Sequence, residues 1–215
     1  MSQRAPTKEK TARRTQQRSV ETRERLVDAA VDVFSSHGFD GATTRQIANR
    51  AGVALAALPY HFTTKEALWQ AAASRIFGLL REHFREHRAE LNADDPRVRL
   101  RVLLRELATY ASKHPELHRF MLQEGTDRGD RLVWLVDKHV RPLYRTVANL
   151  TNDGRTHDLL VEGRTEHLFY AIVGAASLPY AVAPEYQLLA RAKPDSPRRV
   201  EDHIQFLFRL FRIDD

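Results

Sequence analysis

Apolar residues recur at helical spacing along most of the chain. The first such stretch begins near Ser19 and ends at His37-Gly38, because glycine readily adopts the left-handed conformation that closes a helix. The same spacing predicts helices at about residues 97–113, 116–124, 130–151 and 160–182, and Ser196-Pro197 marks the start of a last one. Strand alternation and hairpin turns flanked by β-branched runs are missing from the sequence. The predicted fold class is therefore all-α.

Two capping signals bracket a short segment between the first helix and a long one. The sequence TTRQ at residues 43–46 has the form of a capping box and predicts that the second helix starts at Thr43 or Thr44 and stops at Gly52. A short segment at residues 55–61 follows, and a second box, TTKE at residues 63–66, opens the long helix. Helices joined by a glycine-containing turn, with the small Ala48 where they approach, predict a helix-turn-helix.

Composition and charge limit the classes of protein to which the chain can belong. The 215 residues are 42% hydrophobic and 29% charged, which suits a folded core, and the lack of cysteine excludes disulfides and thiol catalysis. The net charge of +6 is concentrated in residues 1–18, which hold six basic side chains against Glu9. Because this stretch lacks periodic apolar positions, it is predicted to be a flexible basic arm, which either follows DNA phosphates or is only a solvated tail. The first 25 residues contain no apolar run suited to export, so a cytoplasmic location without membrane contact is expected.

Residues 20–85 closely resemble the DNA-binding domain of the tetracycline-repressor (TetR) family of bacterial regulators. The resemblance rests on Gly38-Phe39, TTRQIA at 43–48, AGV at 51–53, YHF at 60–62 and KEAL at 65–68. Beyond residue 90 the match is architectural. The expected organisation is the arm at 1–18, a helix-turn-helix domain at 19–66, and a helical regulatory, ligand-binding and dimerisation domain at 67–215.

The resemblance assigns DNA-binding roles to nine residues. Thr43 and Thr44 match phosphate contacts at a helix N-terminus, and Arg45 matches a position that reaches a guanine edge. The recognition helix would present apolar groups, which can meet thymine methyls, from Leu55, Ala56 and Ala57. Contacts to the DNA backbone would come from Tyr60, His61 and Lys65. The alternative for Tyr60 and His61 is a partly buried aromatic pair that braces Phe62.

Pro59 stands where family members usually carry an aromatic phosphate contact. Proline lacks an N–H and disfavours the α conformation at Leu58, but the first N–H groups of any helix have no intrahelical partner. The sequence therefore predicts a short, 3₁₀-like recognition helix that starts at Leu55 or Ala56. Tyr60 is expected to supply the displaced contact.

Residues 97–213 carry more apolar surface than a DNA-binding module requires. In the family such helices enclose a ligand cavity, and Pro142 predicts a kink suited to form a pocket wall. A pocket for a small apolar or amphipathic effector is expected to be lined by Leu103, Leu107, Tyr110, Phe120, Met121, Trp134, Phe169 and Val173. Segment 168–182 and the last helix are apolar on more than one face, so a homodimer interface is expected at Tyr170, Gly174, Ala175, Leu178, Ile204, Phe206, Leu207 and Leu210.

The predicted function is a ligand-responsive transcriptional regulator. It would act as a repressor on a near-palindromic operator in double-stranded DNA and leave it when a small-molecule effector binds. No cofactor, metal or enzymatic activity is expected. Two alternatives remain open: an all-α adaptor that binds protein and not DNA, and a zinc hydrolase. The second arises because His83, Glu86 and His87 form an H-x-x-E-H pattern, although no third ligand is evident downstream.

Overall fold

The structure, a computed structural model, describes residues 8–151, 153, 159–160 and 162–213. These residues form helices and no strand, which confirms the all-α prediction. The helices are α1 Lys8–Gly41, α2 Thr44–Ala51, α3 Leu58–His61, α4 Lys65–Glu86, α5 Arg88–Leu91, α6 Pro96–Lys113, α7 Glu116–Glu124, α8 Asp130–Leu135, α9 Arg141–Thr151, α10 Thr165–Ala181, α11 Ala183–Ala190 and α12 Pro197–Leu210. A 3₁₀ turn, Leu55–Ala57, precedes α3, and a π-helical turn, Val136–Val140, joins α8 to α9.

Helix α1 begins much earlier than the sequence pattern predicts. It is helical from Lys8, so the prediction of a flexible arm is wrong for residues 8–18, and residues 1–7 lie outside the described residues. The stretch from Lys8 to His37 has neither glycine nor proline and is rich in Arg, Lys, Glu, Gln and Ala, which have high helix propensity. High helix propensity alone can form a helix here without a buried face. A search for periodic apolar positions therefore does not detect this part of α1. Gly38 interrupts the helix with a φ of 67°, at the predicted stop.

The chain divides into two compact units, Met1–Arg75 and Ile76–Asp215, so the division falls within α4 and not at residue 66. The reason lies in the first turns of α4, whose Leu68, Trp69, Ala72 and Ala73 are buried in the core of the N-terminal unit. That core also contains fully buried side chains from α1 and α2, among them Leu26, Phe34, Ile47 and Ala48. The N-terminal unit is thus α1, α2, the 3₁₀ turn, α3 and the start of α4.

The C-terminal unit is organised around α6, which packs against α10 and α12. Its core includes Leu104 and Ala108 of α6, Ile172 of α10, and Leu207 and Phe208 of α12. Ahead of Pro142, where the sequence predicts a kink, the helix widens into the π turn, and the N–H of Arg141 bonds the carbonyl of Val136. A π turn rearranges the hydrogen bonds beside a residue that has no N–H to donate.

Three local features differ from the sequence prediction. The hydroxyl of Thr64, and not that of Thr63, caps α4 by accepting from the N–H of Ala67 at 3.0 Å. The short α5 and the separate α11 were not predicted, and α10 begins at Thr165 and not at residue 160.

Among the described residues no single helix is long and apolar enough to cross a membrane. Helices α10 and α11, bent by 76° at the break between them, meet this criterion only as a pair and only by length and composition.

Candidate nucleic-acid interface

The N-terminus of α2 is held by the predicted capping box. The hydroxyl oxygen of Thr43 accepts from the N–H of Gln46 at 3.2 Å, and the amide oxygen of Gln46 accepts from the N–H of Thr43 at 2.8 Å. The Thr43 hydroxyl also donates to Gln46, so this side chain is engaged within the cap. Thr44 is half-buried and Arg45 is exposed, both in the first turn. An exposed helix N-terminus of this kind attracts anions.

The recognition segment is short and begins as the predicted 3₁₀ turn. Leu55–Ala57 form that turn, α3 continues it to His61, and Pro59 lies in the first turn of α3 where its missing N–H has little effect. Leu58 anchors the segment, being only 4% exposed, and Phe62 at its end is also buried. A tight turn at Gly52 joins α2 to this segment. The buried faces of α2 and of the segment hold both elements in place.

The outward face of the segment carries the side chains predicted to contact DNA. Leu55 and Ala56 are exposed, Ala57 is half-buried, and Tyr60 is 80% exposed. Because Tyr60 points to solvent, the alternative that it is partly buried and braces Phe62 is wrong. The rings of Tyr60 and the half-buried His61 meet edge to face at 5.1 Å, and only His61 lies in part against the protein.

Lys65 contacts an aromatic ring of the N-terminal unit. Its ammonium lies 4.5 Å from the centre of the Phe39 ring, a cation–π distance, and the side chain is half-buried. Phe39 itself meets Trp69 edge to face. Lys65 therefore lies at the border of the core.

Arg25 is a structural element of the motif that sequence reasoning missed. From α1 its guanidinium donates to the carbonyl oxygens of Ala51 and Gly52, the latter at 3.0 Å, and so caps the C-terminal end of α2. Gly52 has a φ of 62°, and a Cβ there would lie 2.8 Å from Nη2 of Arg25. The positive φ favours glycine at this position, and a larger residue would also displace the end of the Arg25 side chain. No local pattern links residues 25 and 51, so only the folded chain reveals this contact.

Two other arginines of the N-terminal unit form ion pairs with acidic side chains. Arg50 pairs with Asp32 at 2.6 Å and Arg75 with Asp28 at 3.1 Å. These pairs are partly or largely solvent-exposed, so each adds little to stability, but each reduces the net charge that its arginine presents. In contrast, Arg13, Arg14 and Arg18 of α1 are exposed and lie in the basic stretch that holds most of the chain's net charge.

The residues predicted to line an effector pocket are largely part of the core of the C-terminal unit. Leu103, Tyr110, Phe120 and Phe169 are buried, and Leu107, Met121, Trp134 and Val173 are partly buried. A cavity of about 170 Å³ lies elsewhere in the unit and has a more polar wall, formed by Ser112, Pro115, Arg119, Tyr180, Ala183, Gln187, Lys193, Pro194 and Asp195. None of the eight predicted residues lines this cavity, so the pocket as specified stays a prediction.

The predicted dimer residues fall into two groups. Tyr170, Leu178, Phe206 and Leu210 are each at least 50% exposed, and Gly174 and Ala175 are partly buried. Ile204 and Leu207 are buried in the chain's own core at 2% and 0% exposure, so their assignment to an interface is wrong. Helix α12 is apolar on two faces, and the sequence pattern cannot tell which face packs internally.

The fold and this interface define the class: an all-α protein whose N-terminal unit is a helix-turn-helix domain. The model of the family "Bacterial regulatory proteins, tetR family" matches residues 26–72. An uncharacterised HTH-type transcriptional regulator of Mycobacterium bovis is 33% identical over 116 residues, which are 54% of this chain and 60% of that protein. HTH-type transcriptional regulator SrpR of Pseudomonas putida is 46% identical over 65 residues, 30% of each chain. The helix-turn-helix domain at residues 26–72 is therefore of the TetR type.

Solved structures resemble the chain over most of its length. Ketosteroid transcriptional regulator KstR2 of Mycobacterium tuberculosis covers 88% of this chain and 92% of its own, with a TM-score of 0.67 and 16% identity. AibR in complex with isovaleryl coenzyme A and operator DNA covers 89% and 98%, also with a TM-score of 0.67 and 16% identity. At such low identity these likenesses show the fold alone. The chain spans 52% and 60% of two of the curated relatives that it matches.

Proposed function

We propose that the chain is a transcriptional regulator that binds operator DNA as a homodimer and acts as a repressor that a small molecule releases. The observation that carries the proposal is the solvent-facing surface of α2 and the recognition segment, with Arg45, Leu55, Ala56 and Tyr60 exposed near the capped N-terminus of α2. The match of residues 26–72 to the model of the tetR family of bacterial regulatory proteins supports the proposal of a cytoplasmic regulator without catalytic activity.

The side chains of this surface divide the work of recognition between them. Arg45 is the residue suited to read a base, because a guanidinium can bond two acceptors of a guanine edge at once. The apolar Leu55, Ala56 and Ala57 favour thymine methyls over hydrogen-bonding edges. The N-terminal amides of α2, Tyr60, His61 and Lys65 are suited to phosphates, which fix register without reading sequence. Exposed Arg13, Arg14 and Arg18 add attraction that depends on salt.

Replacing Arg45 by alanine is expected to weaken operator binding. Loss of a bidentate base contact costs roughly 1–3 kcal/mol, which is about 5- to 150-fold in the dissociation constant. Binding to random DNA should change far less, because Arg45 reads base edges. Fluorescence anisotropy with DNA from upstream of the protein's own gene, against random DNA of equal length, measures both constants at a fixed salt concentration.

Two variants complete this experiment. Arg198→Ala removes the same charge from a 93% exposed side chain of the C-terminal unit and should leave operator affinity unchanged. Tyr60→Phe removes one hydroxyl and should weaken operator and random DNA by a similar factor, as a phosphate contact does. If the wild-type chain prefers neither DNA, the regulator proposal fails and an adaptor that binds protein gains support. Equal losses for Arg45→Ala and Arg198→Ala would leave Arg45 without its assigned role.

The proposal of a dimer rests on exposed apolar side chains of α10 and α12. Tyr170 and Leu178 on α10, and Phe206 and Leu210 on α12, expose half or more of their area, an arrangement that a second copy of the same helices would cover. Gly174 and Ala175 are small enough for close helix approach. Two copies would present two recognition segments to the half-sites of a near-palindromic operator.

Light scattering at micromolar concentration is expected to give a mass near twice 24.7 kDa. Phe206→Glu should shift this mass toward one chain, because a carboxylate buried between two subunits lacks a partner. Leu189→Glu places the same charge on α11, at a side chain that is 79% exposed, and should leave the dimer intact. A wild-type mass near one chain, or equal effects of the two variants, contradicts the interface.

The effector we propose is a small apolar or amphipathic molecule bound in the C-terminal unit. AibR was solved with isovaleryl coenzyme A and operator DNA together, and that ligand combines a short apolar group with a polar carrier. Here the apolar core residues around Leu107 and Val173 lie in the same unit as the polar cavity that Arg119 and Lys193 line. Release from DNA on addition of such a ligand, at a concentration without effect on random DNA binding, tests this part.

A further inference from the structure

Three metal-ligating side chains of the C-terminal unit converge between α4 and α6, and none of them is assigned a role in DNA binding. Nε2 of His83 and Nε2 of His87 lie 2.9 Å and 3.3 Å from the same carboxylate oxygen, Oε2 of Glu106. The donor atoms of all three residues lie within 4.8 Å of one another. His83 and Glu106 are largely buried, with side chains 19% and 10% exposed, and His87 is 34% exposed.

Each helix contributes to this cluster through its own geometry. His83 and His87 are four residues apart on α4, so their rings lie on one side of the helix. Glu106 projects from α6, which explains why a search for a nearby third ligand in the sequence finds none. Glu86, the acidic residue of the H-x-x-E-H pattern, is exposed and stands outside the group. The structure therefore replaces the sequence pattern by a different set of ligands.

The short distance between His83 and Glu106 is not explained by a hydrogen bond. Nε2 of His83 is buried and has no hydrogen-bond partner, although Oε2 of Glu106 is 2.9 Å away. A buried ring nitrogen left in this way carries a cost that a ligand would remove. Ligands about 2.0–2.1 Å from a tetrahedral metal are themselves about 3.3 Å apart. The distance from His87 to Oε2 has this value, and the distance from His83 to Oε2 is somewhat shorter.

We propose that His83, His87 and Glu106 bind one divalent transition-metal ion of the zinc class. Two imidazoles and a carboxylate suit Zn²⁺, Co²⁺ or Ni²⁺, whereas Ca²⁺ and Mg²⁺ prefer oxygen ligands alone. Three protein ligands leave the fourth coordination position of a tetrahedral ion open. Because His87 is the most exposed of the three ligands, this open position would lie on the solvent side of the site. The bound ion connects the C-terminal end of α4 to the middle of α6.

The aromatic side chains around the cluster support its geometry without supplying ligands. The ring of Tyr110 lies 5.4 Å from that of His83, and its hydroxyl donates to the carbonyl of Ile76 at 3.2 Å. Phe84 meets His83 edge to face at 5.8 Å. These rings restrict the orientation of the His83 imidazole, which a metal site requires.

The experiment uses the full chain without an affinity tag, stripped with a chelator, and it involves no DNA, so its outcome is independent of the regulatory proposal. Co²⁺ titration is expected to produce visible d–d absorption that saturates at one ion per chain, and Zn²⁺ should displace it. Metal analysis after dialysis should return one zinc per chain. Absence of stoichiometric metal, with the two histidines simply paired to Glu106, overturns the proposal.

Matched variants locate the ion. His87→Ala and Glu106→Gln should each weaken Zn²⁺ binding by more than about 100-fold, since even outer-shell changes cost 10- to 100-fold. Glu106→Gln keeps the size of the side chain, and circular dichroism checks that both variants fold. His167→Ala removes an exposed histidine of α10 and should leave affinity unchanged. Unchanged affinity in Glu106→Gln, or an equal loss in His167→Ala, places the metal elsewhere and contradicts the proposed site.

Discussion

Replacing Trp69 by alanine is expected to destabilise the N-terminal unit by about 3–5 kcal/mol. Trp69 is 0% exposed and its ring meets Phe39 edge to face, with Leu68, Ala72 and Ala73 of the same helix also buried. The small alanine leaves a cavity that these neighbours cannot fill without moving helices. Because a domain is stable by only about 5–15 kcal/mol, the midpoint of thermal unfolding should fall by more than about 10 °C.

The other tryptophan provides a matched control. Trp134 is only partly buried in the C-terminal unit, with Lys138 over its ring at 4.9 Å. Trp134→Ala removes the same number of atoms, but part of the vacated volume is open to water, so a loss of about 1–2 kcal/mol is expected. Urea unfolding followed by far-ultraviolet circular dichroism compares the two variants. A Trp69→Ala protein no less stable than Trp134→Ala contradicts the packing described around α4.

The helix-turn-helix was predictable because local interactions determine most of it. The cap at Thr43 and Gln46, the stop at Gly52 and the 3₁₀ start at Leu55 depend on residues within a few positions of one another. Ala48, which the sequence places where the two helices approach, is fully buried. Each of these features follows from backbone hydrogen bonds that the neighbouring sequence must satisfy.

The features that sequence reasoning missed depend on contacts between distant segments. Arg25 caps α2 from another helix, and Glu106 joins His83 and His87 from α6. Ile204 and Leu207 look like interface residues until α6 is seen to cover them. A hydrophobic pattern shows which positions leave water, but it does not show whether they meet the same chain or a second copy.

His139 links the stability of the C-terminal unit to pH. The residue is 3% exposed, stacks on Phe77 with ring centres 5.0 Å apart, and meets Trp134 edge to face. Nδ1 lies 3.3 Å from Nη1 of Arg81, and because arginine can only donate, Nδ1 accepts and the imidazole is neutral. Burial, together with the positive charges of Arg81 and Lys138, lowers the pKa of His139 to about 4.

The free energy of unfolding is therefore expected to fall as the pH is lowered. The unfolded chain takes up a proton on His139 near its ordinary pKa of about 6.5, while the folded chain does so only near 4. Between these values the unfolded state binds more protons, so stability is highest above about pH 6.5 and is lost progressively down to about pH 4. His139 alone accounts for a loss of about 3 kcal/mol. Burial also lowers the pKa of His118 to about 4, which adds a loss in the same window.

Two variants separate titration from packing in urea-unfolding curves recorded from pH 4 to pH 7.5. His139→Phe keeps an aromatic ring next to Phe77 but cannot bind a proton, so its loss of stability across this range should be smaller than that of the wild type by about 3 kcal/mol. Phe77→Leu removes the stacking partner and leaves the imidazole, so its curve should lie about 1 kcal/mol lower at every pH with the slope nearly kept. If His139→Phe retains the wild-type slope, the acid sensitivity arises from other groups, because no other change in this variant removes a titrating site.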